Sequence, residues 1–201
     1  MADHYYSSHP QSESQRKEIT CLLREHHFQF TTDRGVFSRT QVDVGSQLLV
    51  ETARVESGNR LLDLGCGYGV VGIALAFSVP DVELWAVDVN ERAVELCRLN
   101  ATRAHVPVRA FVGDGIAPLP DGCTFHRILL NPPIRAGKAT VWRLYEEAAS
   151  VLVDDGYLYV VIRKKQGAKS TERHLHTLFE TVEIKARESG YYIYECVGVI
   201  R

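Results

Sequence analysis

Leu61 to Gly72 reads LLDLGCGYGVVG: an apolar strand-like run, three glycines at alternate positions, then small apolar residues of helical character. Gly65, Gly67 and Gly69 allow backbone conformations that other residues avoid, and they let the chain pass close to a ligand. A strand that turns at once into a helix must cross over to a parallel neighbour. This stretch therefore commits the chain to an α/β sheet.

The flanking pattern agrees. Arg60 to Leu64, Glu83 to Val87, Pro107 to Val112, Phe125 to Leu130 and Gly156 to Ile162 read as strands. Between them, Tyr68 to Ser78, a helix capped by Asn90 that runs to Asn100, and Lys138 to Leu152 read as helices, with another near Thr171 to Phe179. Thr181 to Ala186 and Tyr191 to Val197 alternate as strands across Glu188-Ser189-Gly190, a turn too short for a helical crossover, so this pair is antiparallel. The expected fold is α/β: a doubly wound, Rossmann-like, mostly parallel seven-stranded sheet with an antiparallel C-terminal hairpin strand at one edge. Ligands of such sheets bind outside the carboxyl ends of the strands. Ahead of the sheet lie a polar arm of about 18 residues, a short strand at Phe28 to Thr32, a turn at Asp33-Arg34-Gly35 and a short helix within Val42 to Thr52. We expect residues 1–56 to be an arm and extension packing on the ligand side, residues 57–201 to carry the sheet, and the two to form one compact unit.

Of the 201 residues, 45% are apolar and 24% charged, and the net charge is −2, so a polycation that coats nucleic acid is excluded. A nucleic-acid contact would have to come from a local patch. The five cysteines are scattered without metal-ligand spacing, and His26-His27 and His174-x-His176 lack partners for a metal, so neither a metal nor a disulfide framework is expected. The cysteine usage points to a reducing cytoplasm; the N-terminal stretch shows no apolar signal-peptide core, and no run approaches the length needed to span a membrane.

Three acids end three successive strands. Asp63, beside the glycines, would repel a pyrophosphate and suits a cationic ligand such as the ammonium or sulfonium of S-adenosylmethionine. Asp88 is set to take ribose hydroxyls, a position that nicotinamide enzymes use as well. Asp114 is set to accept from an adenine amino group, with Gly115 leaving room for the ring. Each acid alone would serve equally as a helix cap.

Phe125 to Leu130 is followed by Asn131-Pro132-Pro133. Neither proline can donate to a ladder, and a residue before proline is held extended, so the strand stops with Asn131 in a narrow backbone range. That is either a bare strand terminator or a stiff mount for one amide side chain.

The acids and the glycine loop resemble those of class I S-adenosylmethionine-dependent methyltransferases, over about Asn59 to Val197. The resemblance implies that Asp63, Gly65, Gly67 and Gly69 hold the methionine end, Asp88 the ribose and Asp114 with Gly115 the adenine, with Asn131 next to the methionine end. Asn131-Pro132-Pro133 looks like the motif of enzymes that methylate exocyclic or amide nitrogen. By that likeness the Asn131 carboxamide oxygen and the Pro132 carbonyl accept from the two N–H groups of the target amine. Most such enzymes have Tyr or Phe next; here it is Ile134, so Phe37 is a candidate for stacking, with Pro133 and Ile134 packing on the substrate.

DRGVFSRTQVDVGSQLL (Asp33 to Leu49), NPPIRAGK and KKQGAKS (Lys164 to Ser170) extend the likeness to methyltransferases of the small-domain family. These are similar to the catalytic domain of 16S ribosomal RNA guanine-N2 methyltransferase C. The resemblance implies methylation of guanine N2 in small-subunit ribosomal RNA, or else of a protein glutamine, a DNA base or a small molecule. Arg135, Lys138, Arg163, Lys164, Lys165 and Lys169 form either a local RNA-binding patch at the carboxyl-end face or a solvated rim. Tyr5-Tyr6 and Tyr191-Tyr192 are further stacking candidates or ordinary surface and core tyrosines.

Overall fold

The computed structural model describes residues 13–201, so Tyr5-Tyr6 lies outside the described residues. A hairpin of β1 (Lys17–Leu23) and β2 (His26–Thr32) leads to α1 (Val44–Thr52). The doubly wound part follows as β3 (Arg60–Leu64), α2 (Val70–Ser78), β4 (Glu83–Asp88), α3 (Glu91–Arg103), β5 (Val108–Val112), β6 (Phe125–Leu130), α4 (Lys138–Ser150) and β7 (Leu152–Arg163). The chain ends in α5 (Ala168–Leu175), β8 (Phe179–Glu188) and β9 (Tyr191–Val199).

Seven strands form the Rossmann-like sheet in the order β5-β4-β3-β6-β7-β9-β8. The pairs from β5 through β7 are parallel, and β9 runs antiparallel to both β7 and β8. The reversed strand is therefore inside the edge rather than at it, because α5 carries β8 to the outermost position. Period-two alternation sorts the side chains of each strand to opposite faces. In β3, Leu61 joins the core under α1, α2 and α3, while Leu62 and Leu64 join the core under α4 and α5. Asp63 shares the face of Leu61 and so points toward α2.

Several boundaries differ from the sequence expectation. Lys17–Leu23 is a strand, not part of an arm, with Ile19 and Leu23 buried. Its turn puts Arg24 at φ 46° and Glu25 at φ 65°, a left-handed pair usually signalled by Asn-Gly. Tertiary bonds hold it: Arg24 donates to the carbonyls of Val50 and Ala53, and its backbone N–H donates to Glu51. The α4 helix ends at Ser150 because Leu152 pairs with Phe125 in the sheet. The α5 helix starts at Ala168, after Gly167 at φ 101°, and stops short of Phe179, which is buried and pairs with Val199.

Buried asparagines fasten the first segments to the sheet domain. Asn100 in α3 accepts from the Thr31 N–H at 2.7 Å and donates to the carbonyls of Thr31 (3.0 Å) and Tyr68 (2.9 Å). Asn90 caps α3 and donates to the Gly35 carbonyl at 2.8 Å. Three long-range bonds, two between Asn100 and Thr31 and one from Asn90 to Gly35, thus hold β2 and the following turn over the glycine loop.

Candidate active site

The chain reverses its winding between β3 and β6, which are hydrogen-bonded neighbours, and the carboxyl ends of the strands open there into a cavity of about 710 Å³. That volume is typical of small-molecule and cofactor sites. The glycine loop, the ends of β3, β4, β6 and β7, and the segment from Gly35 to Leu49 all contribute to its lining.

The glycine loop is built by its own backbone. Gly65 and Cys66 both donate to the Val87 carbonyl, and Gly65, Gly67 and Gly69 have φ of 78°, 55° and 90°. A Cβ at Gly69 would lie 2.7 Å from both Cys97 Sγ and Ile73 Cδ1. Gly69 does not line the cavity: its role is the close approach of the loop to α3. Gly65 and Gly67 do line it.

Asp63 is buried at the cavity wall and accepts from the Gly72 N–H at 2.8 Å. Burial, reinforced by the neighbouring charge of Asp88, raises its pKa to about 7 against the pull of that one bond. Asp88 accepts from Gly67 at 2.8 Å and Asn90 at 2.9 Å, and burial raises its pKa to about 6. Asp114 also lines the cavity, but its carboxylate accepts from Arg143 at 2.7 Å, and Arg143 bridges to Glu147. Glu147 in turn accepts from the Ile116 N–H and occupies the space where Gly115 would carry a Cβ. This Asp114–Arg143–Glu147 bridge had no sequence signal beyond the i, i+4 spacing of the last two.

Asn131 follows β6, and its carboxamide nitrogen donates to Ser46 Oγ at 3.2 Å. Among the described residues its carboxamide oxygen has no hydrogen-bond partner. Pro133, at φ −75° and ψ 78°, is the centre of an inverse γ-turn in which the Pro132 carbonyl accepts from Ile134 at 2.9 Å. The proline ring presets that φ. The Pro132 carbonyl is thus already engaged once and keeps a second lone pair.

Pro132, Pro133, Ile134, Arg135, Phe37 and Arg163 line the cavity together with Asn131. Ile134 is half-buried against the α4–α5 core, and Phe37 is 38% exposed. Lys138, Lys164, Lys165 and Lys169 do not line it. Lys138 lies over the Trp142 ring at 4.1 Å, and the other three are exposed in or after the 3-10 turn Lys164–Gln166 that follows β7. Tyr191 lines the cavity, stacks under the Arg163 guanidinium at 5.1 Å and donates to Asp43 at 3.0 Å. Tyr192 packs partly buried against the α4–α5 core. Among the described residues no group of three or more metal-ligating side chains occurs, and no helix is long and apolar enough to cross a membrane.

The sequence model of the methyltransferase small domain matches residues 27–195, most of the chain. The chain belongs to the methyltransferase small-domain family. Among relatives of this family, an uncharacterized protein of Bacillus subtilis, YbxB, is 43% identical over 96% of this chain and 97% of its own length. Ribosomal RNA large subunit methyltransferase G of Aeromonas salmonicida is 31% identical, covering 81% of this chain and 44% of the relative. Ribosomal RNA small subunit methyltransferase C of Hamiltonella defensa is 37% identical over 66% of this chain and 40% of the relative. The chain thus spans less than half the length of these two named methyltransferases. The Thermus thermophilus 16S ribosomal RNA N2 G1207 methyltransferase, solved with AdoMet and guanosine, superposes with a TM-score of 0.81. It covers 94% of this chain and 52% of its own, at 22% identity, a likeness of fold.

Proposed function

We propose that this small-domain methyltransferase transfers the methyl group of S-adenosylmethionine to an exocyclic amine of ribosomal RNA, with guanine N2 of the small subunit as the leading target. The observation that carries this reading is Asn131. Its carboxamide nitrogen is held by Ser46 while its oxygen has no partner among the described residues, at the wall of the cavity that also contains Asp63.

The residues fit the cofactor. Among the described residues Asp63 is a buried carboxylate with one backbone donor and no cationic side chain bonded to it, so a ligand ammonium would supply the missing countercharge. Gly65 and Gly67 keep the wall free of Cβ atoms. Each Asp88 oxygen accepts one backbone N–H and retains a lone pair for ribose hydroxyls. Asp114 would accept from the adenine amino group with the lone pairs that Arg143 leaves free, while the space beside Gly115, expected to admit the ring, is taken by Glu147. When bound, the cofactor supplies an electrophilic methyl group on a sulfonium.

An exocyclic amine is a weak nucleophile because its lone pair is delocalised into the ring. Acceptors at the Asn131 oxygen and the Pro132 carbonyl, bonded to its two N–H groups, favour a pyramidal nitrogen with that lone pair free to attack. Positive charge grows on nitrogen during attack, so both bonds strengthen in the transition state. No dedicated base is required, since the product ammonium is acidic enough to lose its proton to water. Phe37 and Ile134 pack on the target base, while Arg135 and Arg163 at the cavity, with Lys138, Lys164 and Lys165 farther out, take RNA phosphates.

The names of the relatives support ribosomal RNA from either subunit. Ile134, aliphatic where related amine methylators carry an aromatic, favours a second reading in which the amine belongs to a protein glutamine. Labelled-methyl transfer from S-adenosylmethionine to small subunits, large subunits, naked RNA and protein extract, followed by nucleoside analysis, separates the two. N2-methylguanosine from small-subunit RNA is the expected product. Label confined to protein would overturn the RNA assignment, and no label in any fraction would overturn methyl transfer.

A further inference from the structure

Resting on the reading of Asn131 given above, we infer that Ser46 is the positioning residue for that carboxamide. It holds the amide nitrogen so that the oxygen, and not the NH2 group, faces the substrate amine.

An amine nitrogen presents N–H donors, so it needs an acceptor opposite it. A carboxamide has an acceptor at one end and a donor at the other, and rotation by half a turn exchanges them. With NH2 turned inward, donors would face donors and the transition-state stabilisation would be lost. The backbone before Pro132 is restricted, but that restriction does not reach the terminal amide torsion, which is broad and roughly two-fold. A partner for one end of the amide is therefore required. Ser46 Oγ, 3.2 Å from the Asn131 nitrogen, is the partner present, and it keeps the oxygen inward by accepting from the NH2 group while its own proton points away from the amide.

Ser46 is itself immobilised. It is 4% exposed in the first turn of α1, and its backbone N–H donates to the Asp43 carboxylate at 3.1 Å. The other Asp43 oxygen accepts from the Tyr191 hydroxyl at 3.0 Å, which pins the start of α1 to β9. Gly45 makes this approach possible: a Cβ there would lie 2.8 Å from the Tyr191 ring and 2.9 Å from the Asp43 carboxylate. The Asp-x-Gly-Ser stretch thus acquires a physical division of labour. Asp43 caps the helix and takes the tyrosine, Gly45 admits the ring, and Ser46 holds the amide. Helix α1 brings this hydroxyl to the end of β6 from 85 residues away in sequence.

Ser46→Ala tests the inference cleanly, because the capping bond uses the Ser46 backbone N–H and survives the change. Three quantities are measured on the full chain: S-adenosylmethionine affinity by calorimetry, single-turnover methyl transfer to the RNA substrate, and solvent exchange of the Asn131 side-chain NH2 protons by NMR. Loss of aim should lower the transfer rate by about tenfold to a hundredfold, with affinity unchanged and NH2 exchange accelerated. In an Asn131→Ala background the same change should cost nothing further, since no amide remains to be aimed. A wild-type rate in Ser46→Ala, or an equal additional loss in the double variant, overturns the positioning role. If the wild-type protein methylates no amine, the proposed function fails, while NH2 exchange still reports on the Ser46–Asn131 bond.

Discussion

Asp63, Gly65, Gly67 and Asp88 all come from one short stretch, from β3 to the end of β4. The wall around Asn131 gathers Phe37, Ser46, Asn131, Arg163 and Tyr191 from distant segments of the chain. On the first wall, carboxylates bond to backbone N–H groups of the same βαβ unit. On the second, side chains meet side chains: Asn131 with Ser46, Tyr191 with Asp43, Arg163 with Tyr191. The first wall needs only that β3, α2 and β4 fold. The second needs the N-terminal segment and the C-terminal hairpin in place as well. The wall proposed to hold the cofactor is thus a local property of the sequence, and the wall proposed to hold the acceptor a property of the whole fold.

Variants can break that contrast, and the largest effect is expected at Gly69. With φ at 90° and Cys97 and Ile73 against the missing Cβ, Gly69→Ala adds left-handed strain and overpacking of about 2–5 kcal/mol together. A fall in Tm on the order of 10 °C should follow. An unchanged Tm would mean that the loop can open away from α3.

Asp63→Asn comes next, with cofactor affinity reduced roughly 10- to 100-fold, as for loss of a charged hydrogen bond, and little change in Tm. Calorimetry at several pH values sharpens this prediction. Asp63 and Asp88 have pKa values raised to about 7 and about 6. Because these exceed the ordinary carboxylate value, their contribution to stability is full below the unfolded pKa and is lost as pH rises through 6 to 7. A cationic ligand prefers the ionised form, so its affinity should fall as pH drops from about 7 to below 6, and Asp63→Asn should remove most of that slope. A flat affinity in the wild type would contradict a buried carboxylate–ammonium contact.

Phe37→Ala acts on the other wall alone. Loss of one stacked base is worth about 1–3 kcal/mol, so KM for RNA should rise about tenfold or more while cofactor affinity stays. Equal KM values would leave Ile134 as the packing surface. The smallest effect is expected from Lys164→Ala and Lys165→Ala. Each should weaken RNA binding a few-fold and lower the salt slope by about one if the lysine contacts a phosphate. An unchanged slope would make these residues a solvated rim.

The same contrast governs what the sequence could disclose. The parallel order, the glycine loop and the acids at strand ends were legible because each is a local pattern of hydrophobic period and turn chemistry. So was the place of Asn131 directly after β6, marked by the two prolines that follow it. The β1 strand was not, because its left-handed turn is Arg24-Glu25, residues without turn preference, held by bonds to the end of α1. Ser46 lay inside a stretch whose likeness to the small-domain family was plain, yet its contact with Asn131 depends on how α1 packs against β6. Nothing in Arg143 alone says that it will bind Asp114 across the cavity rim, and the separation of Lys164 and Lys165 from the cavity follows from a 3-10 turn that the lysines do not announce.

The separation of the two walls is tested most directly by Asn131→Ala, assayed for S-adenosylmethionine affinity and for single-turnover methyl transfer on the same preparation. Affinity should stay close to wild type and the rate should fall by about 10²- to 10³-fold, by analogy with loss of one preorganised oxyanion-hole donor. A variant that binds the cofactor and transfers at the wild-type rate would contradict that separation.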